Sequence, residues 1–447
     1  MWLAYPAGML EDSKVVDAPP HGISIEKTVE MAKDFELLVL YTSTPGFHVD
    51  VKIAEMMKDS NPKLQVCFVG PPVTTEPDKA LNSSKAIDFI VRKEFDYQIP
   101  AYAKGTPLEE LQGVSFRKNG ENVHTPDAPP IENLDEMPWV TKVYKRDLDF
   151  RRYNVPFLLN PFIAFYSSRG CPAMCTFCLW PQTNSGHRWR LRSAKDVVEE
   201  VAWAKENFPG LKEIFFDDDT FNYKKERTLE ICKELEKVGM TWSCTSRVTT
   251  DYDTLSAMKD AGARLMIVGY ESGDPQILKN IKKGATVDMA KRYTQNAHKL
   301  GLKIHGDFIV GLPGETRDTI RRTIDFAKSL DTETIQVSIA HAYPGTEFYN
   351  WAQEKALINI DNMSDEQGHQ LPHVIYPGIL DEAEMMDWVE RFYGEYYFRP
   401  KAAWRIVRKA IFDNSERKRL YKEAREYMSL RSKRKKYVEE MKAGAGA

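Results

Sequence analysis

The sequence predicts an α/β protein in which two parallel-sheet domains are followed by a helical region. The first observation is that short apolar runs of strand length alternate with helix-like segments along most of the 447 residues. Apolar strands separated by helices form parallel sheets that are covered on both faces. The second is a proline-rich stretch before residue 140, and the third is the helical, basic composition of the C-terminal part. We therefore expect domains at residues 1–140, 141–358 and 359–447.

Residues 1–140 are expected to form a Rossmann-like domain. Its predicted strands are Val15–Val16, Leu37–Tyr41, Val66–Val69 and Ile87–Val91, and its predicted helices are Ser24–Lys33, Val49–Met57 and Lys79–Ser83. Ligands of such sheets bind at the carboxyl ends of the strands. The loops at those ends have small, hydroxyl or proline residues that would let a bulky cofactor approach the backbone: Ala18, Pro19 and Pro20, then Thr42, Ser43 and Thr44, then Gly70, Pro71 and Pro72.

A β-hairpin and a linker complete this part of the chain. Val114–Lys118 and Glu121–Val123 flank Asn119-Gly120, which is the two-residue turn signal of a hairpin. Prolines in residues 125–139 then break regular structure. We place the domain boundary near Val140.

Residues 141–358 repeat a strand–helix unit. The predicted strands are Pro161–Tyr166, Glu213–Phe216, Thr241–Thr245, Leu265–Val268, Lys303–Val310 and Thr334–Ile339. Six such units suggest a partial (β/α)6 barrel, a fold that places its chemistry at the carboxyl ends of its strands. Polar residues follow the strands at Asp217–Thr220, Ser246-Arg247, Gly269–Gly273, Gly311–Glu315 and His341–Thr346.

Three of the six cysteines lie close together, directly after the first strand of this barrel. Cys171, Cys175 and Cys178 have the spacing C-x3-C-x2-C, and thiolates this close together favour a metal. Three cysteines on a four-iron cluster leave one iron open to a small molecule. The alternative is a zinc site completed by a residue such as His187, although zinc ligands usually come as two separated pairs and the chain has no second pair.

This spacing, with the aromatic Phe177 before the last cysteine, resembles the radical SAM enzymes. The resemblance implies that Cys171, Cys175 and Cys178 bind a [4Fe–4S] cluster and that S-adenosylmethionine (SAM) chelates the fourth iron. One electron, from a donor such as flavodoxin or ferredoxin, would then cleave SAM to methionine and a 5′-deoxyadenosyl radical. The family's catalytic residues beyond these ligands are not specified by the resemblance.

The same resemblance implies SAM contacts at the strand ends of the barrel. The implied contacts are the backbone of Phe177 and Gly311 beside adenine, Asp218 and Asp219 on the methionine amino group, Arg247 on the carboxylate, and Glu271 and Ser272 on the ribose or carboxylate. Structural roles are the alternatives: the Asp run could cap the next helix, and Glu271 could pair with Arg247.

The order of the two domains resembles the cobalamin-binding subgroup of radical SAM proteins. The resemblance implies cobalamin as a further cofactor, held near Thr42, Ser43, Thr44 and Gly70. The cobalamin-ligating D-x-H-x-x-G is absent, as it is from many members of that subgroup. The chain opens with residues that look like the subgroup's first helix, so the sheet is expected to be incomplete at its start.

A narrower resemblance concerns the substrate. Trp2–Gly8, Val16–Pro20, Ser167–Pro172 and Phe177–Gln182, with the Asp run, look like the hopanoid-biosynthesis-associated radical SAM proteins called HpnJ. This resemblance implies a lipid, hopanoid-like substrate and a sugar ring contraction that forms the cyclitol ether of bacteriohopanetetrol. A cobalamin-dependent methyltransferase acting on an unactivated carbon is the first alternative. The others are a tRNA methylthiotransferase, which would need more N-terminal cysteines than Cys67, and a zinc-stabilised interaction protein.

Composition indicates a soluble, cytoplasmic protein. The net charge is −3, and hydrophobic residues make up 42% of the chain. No apolar run approaches the roughly 18 residues of a spanning helix, and the N-terminus lacks the charged region and cleavage site of a signal peptide. The cytoplasm is a reducing compartment, which suits an oxygen-sensitive cluster. Cys67, Cys232 and Cys244 are expected to be buried thiols.

The basic C-terminal region has two interpretations. Its charges either form a solvated helix face or bring an amphipathic helix onto anionic lipid at the inner face of the membrane. The apolar side of that helix would be formed by Trp404, Ile406, Val407, Ile411 and Phe412. Nucleic acid is not expected as a partner, because no aromatic-studded RNA-binding module accompanies the charge.

Overall fold

The computed structural model describes residues 1–358 and 380–412 throughout. Elsewhere it describes single positions or pairs, namely 363–364, 371, 373–374, 376, 417, 421, 425, 428, 431–432 and 439. The basic stretch beyond residue 412 therefore lies mostly outside the described residues.

The N-terminal part is built on a five-stranded sheet with the strand order β1-β2-β3-β4-β5. The strands are β1 (Leu37–Tyr41), β2 (Gln65–Val69), β3 (Phe89–Val91), β4 (Val114–Lys118) and β5 (Glu121–His124). β1, β2 and β3 are parallel, and the β4–β5 hairpin joins them antiparallel. The helices are α1 (Ala4–Gly8), α2 (Ala18–His21), α3 (Ile25–Met31), α4 (Phe47–Ser60), α5 (Pro71–Thr75), α6 (Pro77–Ser83) and α7 (Gln98–Ala103).

The structure confirms the predicted strands at 37–41, 66–69 and 87–91, the three predicted helices and the hairpin. The predicted strand Val15–Val16 is wrong, and Ala18, Pro19 and Pro20 form the start of α2 rather than a loop. Strand residues need a neighbouring strand for their backbone hydrogen bonds. Here a cleft of about 1510 Å³ lies between Val15 and β1, and the Val15 N–H bonds to the Asp147 carboxylate instead.

The second sheet has six strands, all parallel, in the order β13-β12-β11-β10-β9-β6. The strands are β6 (Phe162–Phe165), β9 (Glu213–Phe216), β10 (Trp242–Thr245), β11 (Ala263–Glu271), β12 (Lys303–Val310) and β13 (Thr334–Ile339). Two further strands, β7 (Ser168–Arg169) and β8 (Arg190–Leu191), form a separate antiparallel pair after β6. The sequential order confirms the predicted six-unit partial barrel.

One helix precedes the first strand of this barrel, and the other helices follow its strands. They are α8 (Val140–Asp147), α9 (Ala194–Asn207), α10 (Lys225–Val238), α11 (Tyr252–Asp260), α12 (Pro275–Asn280), α13 (Val287–Lys299), α14 (Arg317–Leu330) and α15 (Glu347–Glu354). Local signals begin several of them: the Ser193 hydroxyl accepts from the Asp196 N–H at the start of α9, and Thr316 and Thr319 form a capping box at α14. The buried core of the barrel also includes α1 and α8.

The C-terminal helices are α16 (Glu382–Tyr397) and α17 (Pro400–Phe412). α16 packs on the edge strand β13, where the Tyr393 hydroxyl accepts from the Val337 N–H at 2.9 Å. On α17, Trp404, Val407 and Ile411 are exposed, whereas the Phe412 side chain lies outside the described residues. None of the helices described is long and apolar enough to cross a bilayer. Contact of α17 with a membrane stays a prediction.

Candidate functional site

The three clustered cysteines lie on a loop that starts from the β7–β8 hairpin. Gly170, directly before Cys171, has φ +85°, and a Cβ there would overlap the carbonyl oxygen of Arg188. Only glycine allows the hairpin to close this tightly. The Cys171 N–H then donates to the Gly186 carbonyl at 3.2 Å, and His187 Nδ1 lies 3.1 Å from the carbonyl oxygens of Cys171 and Ala173. The loop is thus held by the hairpin on both sides.

The thiols of this loop lie close enough for their charges to interact. Burial raises the pKa of Cys178, and the nearby charges of Asp219, Cys175 and Cys171 raise it further. Burial is also the main cause of the raised pKa of Cys171. Thiols with raised pKa values stay protonated until a metal displaces the proton. Three mutually interacting thiols, of which Cys171 and Cys175 are buried and Cys178 is partly buried, fit the donor set of an iron–sulfur cluster.

Among the residues that the structure describes, no three His, Cys, Asp or Glu side chains converge closely enough to hold a single ion. An iron–sulfur cluster binds each cysteine through a different iron and does not need that convergence. The lack of a single-ion site among the described residues is therefore compatible with an iron–sulfur cluster on the three thiols.

The three aspartates that follow β9, Asp217 to Asp219, have different surroundings. Asp218 is fully buried and accepts hydrogen bonds from the Ser167 N–H (2.6 Å), the Ser167 hydroxyl (2.5 Å) and the Ser168 hydroxyl (2.7 Å). The Asp218 carboxylate therefore ties β9 to the start of the β7–β8 hairpin, and its contact with the SAM amino group stays a prediction. Asp219 accepts from the Ser185 hydroxyl at 2.9 Å.

Asp219 is the member of the run that lies beside the cysteines. Burial raises its pKa to about 6, and its charge in turn raises the pKa values of Cys171 and Cys178. Asp217 instead lines the cleft beside β1, where burial followed by the charges of Asp218 and Asp219 raises its pKa to about 7. The contact of Asp219 with the SAM amino group also stays a prediction.

Glu271, at the end of β11, forms a buried ion pair with Lys283 at 2.6 Å. Glu271 has φ +63°, an unusual conformation for a residue other than glycine, and the pairing register of β11 with β12 shifts beside it. The charge of Cys175 acts on Lys283, and Arg247 donates to the Lys283 carbonyl at 3.2 Å. The structure thus brings Glu271 and Arg247 together near the cysteines, but the ion-pair partner of Glu271 is Lys283 rather than Arg247.

Ser272 does not face this site. Its hydroxyl is fully buried, lies 3.1 Å from the Thr323 hydroxyl of α14 and accepts from the Asp274 N–H. The prediction of a SAM contact for Ser272 is corrected for that reason. Gly311, with φ +89°, donates to Glu315 at 3.3 Å and accepts from the Tyr376 hydroxyl at 2.9 Å. Phe177 is half-buried against the barrel core, and its contact with adenine stays a prediction.

The residues predicted at the N-terminal sheet do lie together at its carboxyl edge. The Thr42 hydroxyl donates to Asp50 at 2.7 Å, and the Ser43 hydroxyl accepts from the Gly46 N–H. Gly70 has φ +121°, and a Cβ there would overlap the Thr42 carbonyl oxygen. Thr44 is half-buried in the same loop. The close approach of the ends of β1 and β2 therefore depends on Gly70.

Sequence reasoning missed three charged residues of this region. Lys283 follows α12, and Glu94 and Asp96 follow β3, at the same edge as Gly70. All three form ion pairs with residues of another element or distant in sequence; Glu94 and Asp96 are buried, and Lys283 is partly buried. The one available signal was the position of Glu94 and Asp96 after a predicted strand of the first domain.

Breaking the Glu271–Lys283 pair is expected to destabilise the protein strongly. Lys283→Met leaves a buried carboxylate without a partner, which costs about 3–5 kcal/mol of unfolding free energy. The matched control is Lys282→Met, because the adjacent Lys282 pairs with Glu347 at the same 2.6 Å on an exposed surface. Such a pair contributes about 1 kcal/mol or less. Urea unfolding of the metal-free chain measures both, and equal losses would show that the Glu271 pair is not buried as described.

A pH dependence is expected from Glu315, which accepts from Thr319 at 2.6 Å and whose pKa burial raises to about 7. Because the folded-state pKa is above the ordinary 4.5, its contribution is present at low pH and is lost as the pH rises through about 7. Glu315→Gln should remove up to about 3 kcal/mol of the fall in unfolding free energy between about pH 5 and about pH 8.

Urea unfolding of the metal-free chain at the two pH values measures this effect. Part of the fall in unfolding free energy should remain in Glu315→Gln, because burial also raises the pKa values of Asp217 and Asp219. Glu236→Gln, at an exposed position of α10, is the control. If the unfolding free energy of Glu315→Gln falls with pH as much as that of the unaltered chain, the raised pKa of Glu315 is contradicted.

Comparison with known proteins agrees with this geometry. The family model of the radical SAM superfamily matches residues 165–327. The chain is 31% identical to an uncharacterized methyltransferase of Pyrococcus horikoshii over 92% of this chain and 90% of that protein. It is 25% identical to the anaerobic magnesium-protoporphyrin IX monomethyl ester cyclase of Rubrivivax gelatinosus, over 89% of this chain and 73% of that protein.

The fold is also similar to that of a solved structure, the radical SAM methyltransferase TsrM from Kitasatospora setae with cobalamin and a [4Fe–4S] cluster bound. The TM-score is 0.72 at 16% identity, covering 90% of this chain and 86% of that one. The mixed N-terminal sheet, the six-stranded parallel sheet and the three-cysteine loop thus define the fold of a radical SAM enzyme. The chain belongs to the radical SAM superfamily.

Proposed function

We propose that the chain is a cobalamin-dependent radical SAM methyltransferase that acts on an unactivated carbon. The observation that carries the proposal is the direct contact between the carboxyl edge of the N-terminal sheet and the β7–β8 hairpin that carries the cysteine loop. Asp96, at that edge, forms a buried ion pair with Arg169, two residues before Cys171. A cofactor at the edge would therefore lie next to a cluster on the loop.

Two comparisons support the same proposal. The 31% identical relative carries the name of a methyltransferase, and the similar TsrM structure is of a methyltransferase that holds both cobalamin and a [4Fe–4S] cluster. When bound, the cluster and SAM supply a radical that removes hydrogen from carbon, and cobalamin supplies a carrier for a methyl group.

The chain's own residues bind, orient and shield these groups. Cys171, Cys175 and Cys178 would hold the cluster, and the burial of Cys171 and Cys175 excludes water from it. Arg247, with Glu271 and Lys283, supplies charges beside the loop that match the carboxylate and ammonium ends of an amino acid. On the other side, Gly70 and Thr42 shape the edge where cobalamin would lie.

A second candidate is the rearrangement of a hopanoid side chain, as the resemblance to HpnJ implies. The observation that favours it is the cleft of about 1510 Å³ beside β1. Its walls include Leu38, Leu40 and Phe215, which suit the hydrocarbon part of an amphiphilic substrate, and Asp217 lies in the same lining. The relatives found support methyl transfer better than this reaction. Flavodoxin or ferredoxin as the electron donor stays a prediction for either candidate.

The products formed from SAM distinguish the two candidates. The chain would be reconstituted anaerobically with iron and sulfide, then given SAM and dithionite with and without cobalamin. Transfer of the methyl group to cobalamin leaves S-adenosylhomocysteine, so a methyltransferase should form that product only when cobalamin is present. Formation of 5′-deoxyadenosine alone, unchanged by cobalamin, would overturn the proposal and favour the rearrangement.

A further inference from the structure

The arginine just before the cysteine loop extends its side chain into the N-terminal part of the chain. Arg169 belongs to β7, and its guanidinium donates to both carboxylate oxygens of Asp96 at 2.8 Å. Glu94 lies 3.6 Å from the same guanidinium, and the rings of Trp2 and Tyr5 lie 5.0 and 4.6 Å from it. Each of these partners comes from residues 1–140, although Arg169 itself belongs to the barrel.

A second arginine of the hairpin repeats this arrangement. Arg190 is paired with Arg169 across β7 and β8, and its guanidinium donates to both oxygens of Glu94 at 2.8 and 2.6 Å. It also donates to the carbonyl of Ser185 at 2.9 Å. We call Glu94, Asp96, Arg169 and Arg190 the domain clamp. All four side chains are at most 6% exposed.

Both ends of the domain clamp lie where chemistry is expected. Glu94 and Asp96 follow β3, at the edge that also holds Gly70. At the other end, Gly170 separates Arg169 from Cys171 and has no room for a side chain against Arg188. Because a single residue separates Arg169 from Cys171, a shift of Arg169 relative to the barrel would change the position of Cys171 as well.

We infer that the domain clamp positions the cysteine loop from the N-terminal part of the chain. Removing one partner of a buried, hydrogen-bonded ion pair leaves an uncompensated charge, so the pair holds its two elements together strongly. Arginine suits this task, since its planar guanidinium forms two parallel hydrogen bonds to one carboxylate and so fixes direction as well as distance. The inference rests on the proposed function only in taking Cys171, Cys175 and Cys178 as cluster ligands.

The first test needs no cofactor. In the metal-free chain, the rate of alkylation of each cysteine by iodoacetamide would be followed by peptide mass spectrometry at one fixed pH. Asp96→Asn should expose the loop and raise the rates at Cys171 and Cys175 about tenfold over the unaltered chain. Cys232, buried in α10 away from the loop, should keep its rate and reports any general loosening of the fold.

The matched control is Glu200→Gln. Glu200 is fully buried and pairs at 2.6 Å with Arg192, which follows the same hairpin, but both residues belong to the barrel. This variant should lower stability in a similar way and leave the loop cysteines near their original rates. Equal acceleration in both variants, or none in Asp96→Asn, would overturn the inference.

A second measurement uses the reconstituted protein. The electron paramagnetic resonance spectrum of the reduced cluster should change in Asp96→Asn and stay unchanged in Glu200→Gln. If Asp96→Asn does not fold, Arg169→Lys replaces it, because lysine keeps the charge but loses the paired hydrogen bonds. An unchanged alkylation rate and spectrum in that variant would also overturn the inference. Failure of the methyltransferase proposal would leave the alkylation result intact, so the two can be told apart.

Discussion

Cys175→Ala is expected to abolish both cluster assembly and reductive cleavage of SAM. Cys175 is buried on the loop, and the charges of the three thiols act on one another. With one thiolate missing, a second iron of the cluster loses its protein ligand, so the arrangement that leaves a single iron open is lost. Iron content, visible absorbance and 5′-deoxyadenosine formation after anaerobic reconstitution measure the effect.

The control for this variant is Cys232→Ala. Cys232 is also a buried barrel cysteine, but it lies on α10 and not on the loop. It should keep the cluster and SAM cleavage while losing only some stability from the smaller side chain. A full cluster and normal cleavage in Cys175→Ala would contradict the assignment of the loop as the cluster site.

Gly70→Ala is expected to have the second-largest effect, on the N-terminal sheet. Gly70 has φ +121°, a conformation that alanine rarely adopts, and a Cβ there would overlap the backbone oxygen of Thr42. The strain and the overlap together should cost about 4 kcal/mol or more of unfolding free energy. Because the ends of β1 and β2 must move apart, retention of cobalamin should also be lost, whereas the cluster on the barrel should still assemble.

Gly105→Ala is the control that measures backbone strain without the overlap of a Cβ with a neighbouring atom. Gly105 also has a positive φ, at +97°, but nothing lies within 4 Å of a Cβ built there. Its cost should be about 1–3 kcal/mol, the cost of backbone strain alone. Urea unfolding and cobalamin retention on gel filtration would be measured for both variants. Cobalamin binding that survives Gly70→Ala with full affinity would show that the cofactor does not use this edge.

The regular elements were predictable because each has a strong local signal. Leu37–Tyr41 is a continuous apolar run of strand length, and Asn119-Gly120 supplies the φ-positive turn of the hairpin. Val15–Val16 has the same apolar character but lacks a neighbour, since the cleft beside β1 separates it from the sheet. Whether an apolar run becomes a strand depends on that neighbour, and the run itself does not contain this information.

The site was predictable in its cysteines and less so in its charges. The spacing of Cys171, Cys175 and Cys178 places three thiols together on one loop through local chain geometry. In contrast, the roles of Asp218 and Asp219 differ only because Ser167 and Ser168 reach the first and Ser185 reaches the second. Which carboxylate is occupied depends on long-range packing.

The ion pairs of the domain clamp were even less predictable from the sequence. Asp96 and Arg169 are separated by 73 positions in sequence, and nothing local to either residue indicates the other. A buried charge requires a partner, so burial predicts that a pair exists but does not identify it.

The most direct test of the account is the fate of the methyl group of SAM. The reconstituted chain would be incubated with reductant, cobalamin and SAM carrying a deuterated methyl group, and the recovered cobalamin would be analysed by mass spectrometry. The account predicts cobalamin that carries the deuterated methyl group, formed by the unaltered chain and absent when the chain is omitted. Recovery of unlabelled cobalamin from a chain that holds its cluster and consumes SAM would contradict it.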